Sequence, residues 1–297
     1  MQVEVEVPGT PEQVWQAIAT GPGVGAWFVP TEIDGRIGGT ETSHFGGGMD
    51  SASTITEWDP PHRFVKEGSW GPNAPTVATE WTVEARGGGT CLVRVVHSLF
   101  AETDDWDDQL TGVESGWPSF FRILRLYLEH FAGQPSSQIQ LLAMPAASGA
   151  WEKLASALNL AGAAPGERRD AGDAAPPLSG TVESVNTAGH PHTLLRVDLP
   201  APGAVFATAC PAGEKAFVTV SFYLYGDTAA AVVARDQSLL SLRRHGSGRR
   251  GARPVRLDCL DDESLPGVNP EGPHLAELCT PCGAELQPRR CRVENSR

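Results

Sequence analysis

The order of the hydrophobic patterns over residues 1–133 constrains the fold more than any other feature of this chain. From Gln2 to Val7, valines alternate with polar or acidic residues, which is typical of a strand with one face in water. The segment Thr10-Pro11-Glu12-Gln13 follows. It predicts a helix start, with the threonine as N-cap, the proline at the first helical position and the glutamine completing a capping box.

A run of short alternating segments then predicts an antiparallel meander. The segments cover residues 32–37, 53–58, 63–69, 76–83 and 90–100, and glycine or proline clusters separate them. In the last segment Arg94 marks the outer face, which predicts an inward face made of Cys91, Val93, Val95, His97 and Leu99.

The meander is followed by one long amphipathic helix. Its apolar residues recur at three- and four-residue steps, and Gly133 ends it. They are Trp117, Phe120, Phe121, Leu124, Leu128 and Phe131. An α+β fold is therefore expected, in which an antiparallel sheet curls around this helix and leaves a cavity between them.

Several short motifs over residues 1–133 resemble one known family. They are Val7-Pro8-x-x-Pro11-x-x-Val14-Trp15, Trp27-Phe28 followed by Gly38-Gly39, Thr79-Glu80-Trp81, Gly89-Thr90 leading to His97-Ser98, and Gly116-Trp117. In this order they are similar to the activator-of-heat-shock-protein-ATPase-like branch of the START-like (SRPBCC) superfamily. The resemblance implies a helix-grip fold, in which the sheet holds a long C-terminal helix around a hydrophobic tunnel. None of these motifs is catalytic.

The rest of the chain divides into two further regions. Residues 136–237 alternate in strand and helix patterns and predict a smaller α+β domain, a reduced and degenerate helix-grip copy, with a linker over 165–177. Residues 238–297 contain no phenylalanine, tyrosine or tryptophan, but ten arginines and four of the six cysteines. This composition cannot build a core, so a disordered tail is expected there.

Charge and hydropathy exclude several classes of function. The net charge is −13, which disfavours a nucleic-acid partner because the protein as a whole repels polyanions. No apolar stretch approaches the roughly 20 residues of a membrane helix, and the N-terminus lacks the pattern of a signal peptide. We therefore expect a cytoplasmic bacterial protein, without nucleic-acid or membrane partners, whose cysteines are reduced.

The large aromatic residues suggest a ligand pocket as readily as a solid core. The predicted pocket residues are Trp27, Phe28, Phe45, Trp81, His97, Trp117, Phe121 and Leu124. His97 is the polar candidate on the inward face, either as an anchor for a ligand oxygen or as a hydrogen-bonded core histidine. His44, on a glycine-flanked loop, is a weaker candidate.

Metal and cofactor signals are weak. The segment from Glu102 to Asp108 contains five carboxylates but lacks the spacing of a calcium loop, so a solvated loop is expected, with Trp106 over the mouth of the cavity. Cys279 and Cys282 resemble half of a zinc site without the other half. With no nucleotide-binding, triad or metalloprotease motif present, we predict no cofactor and no metal.

These observations favour a protein that binds a hydrophobic small molecule, as a monomer or a homodimer. The resemblance implies two alternatives. One is a polyketide cyclase or aromatase-like enzyme, in which His97 would polarise a carbonyl group. The other is a co-chaperone-like activator of a heat-shock-protein ATPase, for which the partner would be a chaperone.

Overall fold

A computed structural model describes residues 2–45, 50–69, 75–100, 107–171, 177–187 and 190–235. Its first part contains β1 (Gln2–Pro8), α1 (Pro11–Ile18), α2 (Gly21–Gly25), β2 (Thr31–Ile33), β3 (Thr40–His44), β4 (Asp50–Asp59), β5 (Arg63–Ser69), β6 (Thr76–Arg86), β7 (Thr90–Phe100) and α3 (Asp107–His130). The second part contains β8 (Ser136–Ala143), α4 (Ala150–Ala157), β9 (Arg168–Ala171), β10 (Leu178–Asn186), β11 (His192–Leu199), β12 (Gly203–Ala212) and β13 (Lys215–Tyr225).

The first sheet has seven antiparallel strands in the order β1-β7-β6-β5-β4-β3-β2. It is a curled half-barrel, as the sequence predicted. The start of α1 is confirmed in detail: the Thr10 side chain accepts from the Gln13 amide, and the Gln13 side chain accepts from the Thr10 amide 2.9 Å away. The inward face of β7 is confirmed from Cys91 to His97, because Cys91, Val93, Val95 and His97 are buried, whereas the side chain of Leu99 lies outside the description.

The second sheet has six antiparallel strands in the order β8-β13-β12-β11-β10-β9. One of its faces packs against α4, with Leu154 and Leu158 in a cluster that includes Phe222. The other face belongs to the same hydrophobic cluster as the first sheet and α3. Residues 229–235 form a further helical segment.

The helix α3 lies between the two sheets. On one side Trp117 and Phe121 contact the ring of Trp81, which β6 contributes. On the other side, the Phe131 ring at the end of α3 stacks on Tyr225, with 4.3 Å between ring centroids. The Tyr225 hydroxyl also donates a 2.8 Å hydrogen bond to the buried carbonyl of Ala26. The two parts of the chain therefore share one core.

Two local expectations were wrong. The strand predicted over 32–37 ends at Ile33, and the chain turns through Gly38 at φ +77°, which leaves Ile37 exposed. The predicted linker over 165–177 contains strand β9. Strand β9 has a polar sequence and is stabilised by main-chain pairing with β10. Hydrophobic periodicity therefore could not predict it.

Other expectations fall outside the described residues. They concern Trp70, the glycines at 46–48, the acidic segment as far as Trp106, the predicted disorder of 238–297 and the tail cysteines. Asp107 and Asp108, which were predicted to belong to the acidic loop, lie instead in α3. No helix in the described ranges is long and apolar enough to cross a membrane.

Replacing Tyr225 tests the contacts that join the second sheet to the first part of the chain. Tyr225→Phe keeps the ring but leaves the buried carbonyl of Ala26 without this partner, so we expect a loss of about 1–3 kcal/mol in the free energy of unfolding, measured with urea. Tyr225→Leu, which also removes the stacking on Phe131, should cost about 1 kcal/mol more. Equal stability of the wild type and Tyr225→Phe would contradict this role.

Candidate functional site

A pocket of about 100 Å³ opens between the inner face of the first sheet, the α1–α2 region and α3. We call it the aromatic pocket. It is lined by Ile18, Val24, Trp27, Phe28, Glu41, Ser43, Phe45, Ser51, Ser53, Lys66, Gly68, Val77, Thr79, Trp81, His97, Trp117 and Phe120. Alternation along β3 to β7 places the lining side chains that these strands contribute on one face of the sheet.

One wall of the aromatic pocket is a network of aromatic rings. Trp117 is at its centre: its ring stacks on Phe28 with 5.5 Å between centroids and lies edge-on to Trp81 at 5.3 Å. Phe28 also contacts Phe45 and Phe120 edge-on. The Trp27 side chain is fixed from behind, because its Nε1 donates to the carbonyl of Ala17 over 2.9 Å. This wall is apolar and held in place by several elements.

The opposite wall is polar and contains an ion pair. The Lys66 ammonium on β5 contacts the Glu41 carboxylate on β3, and their side chains are only 17% and 7% exposed. Ser43 also donates to Glu41, over 3.5 Å, and lies 3.3 Å from the Thr31 hydroxyl. Charges buried to this degree are stabilised by each other, so removing either one leaves the other without a partner.

His97 lies between the two walls, and both of its ring nitrogens are hydrogen-bonded. The indole Nε1 of Trp117 donates to Nε2 of His97 over 2.9 Å. An indole N–H is only a donor, so Nε2 accepts and Nδ1 carries the hydrogen. Nδ1 then donates to the hydroxyl of Thr79, 2.9 Å away on the paired strand β6. His97 thereby joins β6, β7 and α3.

The surroundings of His97 keep its ring neutral. The residue is 5% exposed. Burial, together with the nearby positive charge of Lys66, lowers the pKa of His97 to about 3. The one N–H of this uncharged imidazole is bonded to Thr79 and its other nitrogen accepts from Trp117, so both nitrogens are engaged within the protein. The geometry therefore matches a histidine that positions Trp117 and Thr79.

The structure places six of the eight predicted pocket residues on the lining and two behind it. Trp27, Phe28, Phe45, Trp81, His97 and Trp117 line the aromatic pocket. Phe121 and Leu124 are buried in the core on α3, and the Phe121 ring lies against Trp27, Trp81 and Trp117. His44, the weaker candidate, is half-exposed and lies 3.0 Å from Asp50.

Sequence reasoning missed the whole polar wall. Glu41 and Ser43 lie on β3, whose sequence Thr-Glu-Thr-Ser-His contains no apolar residue and was not predicted as a strand. Lys66 was within a predicted strand, but a lysine ordinarily indicates the solvent face. The available signal was the alternation on β5, where Phe64, Lys66 and Gly68 share one face.

Gly68 allows the strand next to it to approach closely. A Cβ atom at this position would lie 2.5 Å from the Ser53 hydroxyl and 2.6 Å from the Ala52 carbonyl.

Within the described ranges, no group of three or more histidine, cysteine, aspartate or glutamate side chains is arranged to hold a metal ion. The lining of the aromatic pocket offers apolar contact together with hydrogen bonding to Glu41, Lys66 and the hydroxyl groups.

Residues 8–129 match the family model described as "Activator of Hsp90 ATPase homolog 1-like protein". This match confirms the resemblance of the N-terminal region to that branch of the START-like superfamily. A search of curated proteins gave no significant match.

Several solved structures are similar to parts of this chain. A protein from Mesorhizobium loti is 19% identical and covers 44% of this chain and 98% of its own, with a TM-score of 0.40. The Aha1 dimer from Colwellia psychrerythraea is 22% identical, with coverage of 44% and 96% and a TM-score of 0.38. The di-domain ARO/CYC BexL from the BE-7585A biosynthetic pathway is 16% identical, with coverage of 82% and 94% and a TM-score of 0.40.

The polar wall predicts a strong dependence of stability on the ion pair. Lys66→Met leaves the Glu41 carboxylate buried and unpaired, so the free energy of unfolding should fall by about 3–5 kcal/mol. The double variant Glu41→Leu/Lys66→Met removes both charges and should recover most of that loss. Urea unfolding of Glu41→Leu, Lys66→Met and the double variant measures the coupling free energy between the two side chains. Additive losses would contradict a buried, mutually stabilising pair.

The depressed pKa of His97 predicts a pH-dependent stability. The unfolded chain takes up a proton at this residue below about pH 6.5, whereas the folded protein does so only near its pKa of about 3. As the pH falls between these two values, the free energy of unfolding therefore decreases. The contribution of His97 alone is about 1.4 kcal/mol per pH unit.

The variant His97→Gln should lack this contribution. Between about pH 6.5 and pH 5 its free energy of unfolding should fall about 2 kcal/mol less than that of the wild type, as measured by urea unfolding at both pH values. Parallel pH profiles for the two proteins would show that His97 is not held neutral.

Proposed function

We propose that the aromatic pocket binds a small molecule with one ring and one polar group. The observation that carries this proposal is the pairing of a rigid aromatic wall with a polar wall across one cavity. A pocket of this kind provides apolar burial for affinity and a few fixed polar groups for orientation. In this proposal α3 acts as the gripped helix that closes the cavity.

The size of the cavity supports a ligand of about one ring. A cavity of roughly 150 Å³ is known to hold one benzene molecule, and the aromatic pocket has about 100 Å³. A sterol or a fatty acid would have to displace several of the aromatic side chains. The hydrogen-bonded Trp27 and Trp117 oppose such a displacement.

The polar wall supports a hydroxyl group on that ring. Glu41 has acceptor capacity and the Lys66 ammonium has three donors, of which the ion pair uses part. A hydroxyl is both a donor and an acceptor, so it can bond to each of the two without breaking their pair. A carboxylate on the ligand would compete with Glu41 for the Lys66 ammonium, and the two carboxylates would repel each other.

The expected affinity is modest. A single ring that buries about 150–250 Å² of apolar surface gains about 4–6 kcal/mol at 25 cal/mol per Å². Association costs offset part of this gain. A dissociation constant of about 1 mM is therefore expected for a simple phenol, and a natural ligand that makes further contacts would bind more tightly.

The role of His97 separates binding from catalysis in this proposal. A cyclase-like mechanism would require the His97 ring to polarise a carbonyl, but Trp117 and Thr79 already engage both nitrogens. We assign His97 to holding the aromatic wall in place. The proposed function is therefore binding.

The direct test uses NMR spectra of the tryptophan indole groups with toluene, p-cresol and benzoate as probes. We expect saturable shifts of the Trp27, Trp81 and Trp117 signals with p-cresol, weaker ones with toluene and the weakest with benzoate. Absence of saturable shifts with all three probes up to about 10 mM, well above the affinity that the pocket should provide, would overturn the proposal.

A pair of variants on β4 makes this test specific. Ser53→Phe places a ring in the aromatic pocket, because Ser53 is on the lining, and should weaken p-cresol binding at least tenfold. Thr54→Phe places the same ring on the exposed face of the strand and should leave the affinity within twofold of the wild type. Equal effects of the two variants would place binding elsewhere.

A further inference from the structure

A second pocket lies between α3 and the second sheet, outside the aromatic pocket. It has a volume of about 320 Å³, and we call it the helix–sheet pocket. It is lined by Pro118, Ser119, Arg122, Val185, Asn186, His190, His192, Phe206 and Thr208. None of these residues lines the aromatic pocket, so the proposed function does not account for this site.

The lining of the helix–sheet pocket combines one cation with uncharged side chains. The protein has 36 acidic and 23 basic residues, yet in the described part of the chain no aspartate or glutamate lines this pocket. Arg122 is its one cation among those residues, and two histidines accompany it. A cavity with this charge composition favours a negatively charged occupant.

Arg122 is fixed by a contact with the second sheet. Its Nη1 donates to Nε2 of His192 over 3.0 Å. The His192 ring, on β11, is buried and lies against Phe206 on β12, with 5.3 Å between centroids. Arg122 itself is exposed, so the guanidinium is held at one end while its remaining N–H groups can reach a ligand.

The main chain next to the pocket is held by hydrogen bonds as well. Asn186 donates to the carbonyl of His190 over 2.9 Å, and the Thr208 hydroxyl donates to the carbonyl of Pro191 over 3.0 Å. These bonds fix the backbone at His190 and Pro191, just before β11. Together with the bond between Arg122 and His192 they order this side of the pocket before any ligand arrives, which lowers the ordering cost of binding.

We propose that the helix–sheet pocket binds a small oxyanion group, a phosphate or a carboxylate, between the Arg122 guanidinium and His190, with His192 holding the guanidinium in place. A guanidinium matches both groups through paired N–H donors. Phosphate and carboxylate groups share this chemistry, and the experiment below distinguishes between them.

The surroundings of the two histidines favour their neutral forms. Burial and the charge of Arg122 lower the pKa of His192 to about 4, and burial lowers the pKa of His190. A neutral His192 leaves Nε2 without a hydrogen, which allows it to accept from Arg122. A bound anion would change the electrostatic surroundings of the His192 ring through Arg122, so the signals of this ring report occupancy of the pocket.

The test follows the imidazole ¹⁵N signals of His192 by NMR while inorganic phosphate or succinate is added at constant ionic strength. Sodium chloride alone is the reference. We expect saturable shifts with at least one of the two anions; a response to phosphate alone or to succinate alone identifies the preferred group. No saturable response to either anion would overturn the proposal without bearing on the aromatic pocket.

Two arginines on α3 provide the matched variants. Arg122→Gln removes the guanidinium from the helix–sheet pocket and should weaken the anion affinity at least tenfold. Arg125→Gln removes the same charge from an exposed position that does not line the pocket, and should change the affinity less than twofold. Equal weakening by both variants would mean that the anion responds to general charge, and would overturn the site.

Discussion

The burial of α3 on two sides is the constraint on which the rest of this structure depends. A helix with one apolar stripe needs one partner, whereas α3 presents Trp117 and Phe121 to the first sheet and Tyr127 to Tyr225 of the second. The core that results runs through both sheets. The position of α3 therefore fixes the distance between the sheets, and both pockets lie along this helix.

The aromatic pocket follows from the way in which α3 meets the curled sheet. Trp117 packs on Phe28 and Trp81 and is oriented by its bond to His97. The far half of the inner face carries serines, Glu41 and Lys66 instead of apolar residues. Side chains of this kind do not fill a core densely, so a cavity with one apolar and one polar wall remains.

The sequence predicted the parts of the fold that hydrophobic periodicity and capping determine. The Thr10 capping box, the inward face of β7 and the segments of β5 and β7 are present as expected. Strands β3 and β9 were missed because their sequences are polar, and pairing with neighbouring strands stabilises them. Periodicity placed Phe121 and Leu124 on the inward side of α3, but could not tell which inward side chains border a cavity.

The most direct measurement of the central claim is an isotope-filtered NOE spectrum of the protein with p-cresol. Binding in the aromatic pocket predicts contacts from the ring protons of p-cresol to the Val77 methyl groups and to the rings of Trp27 and Trp117, all of which line that cavity. Intermolecular contacts confined to residues outside this lining, or no contacts at a saturating concentration, would contradict it.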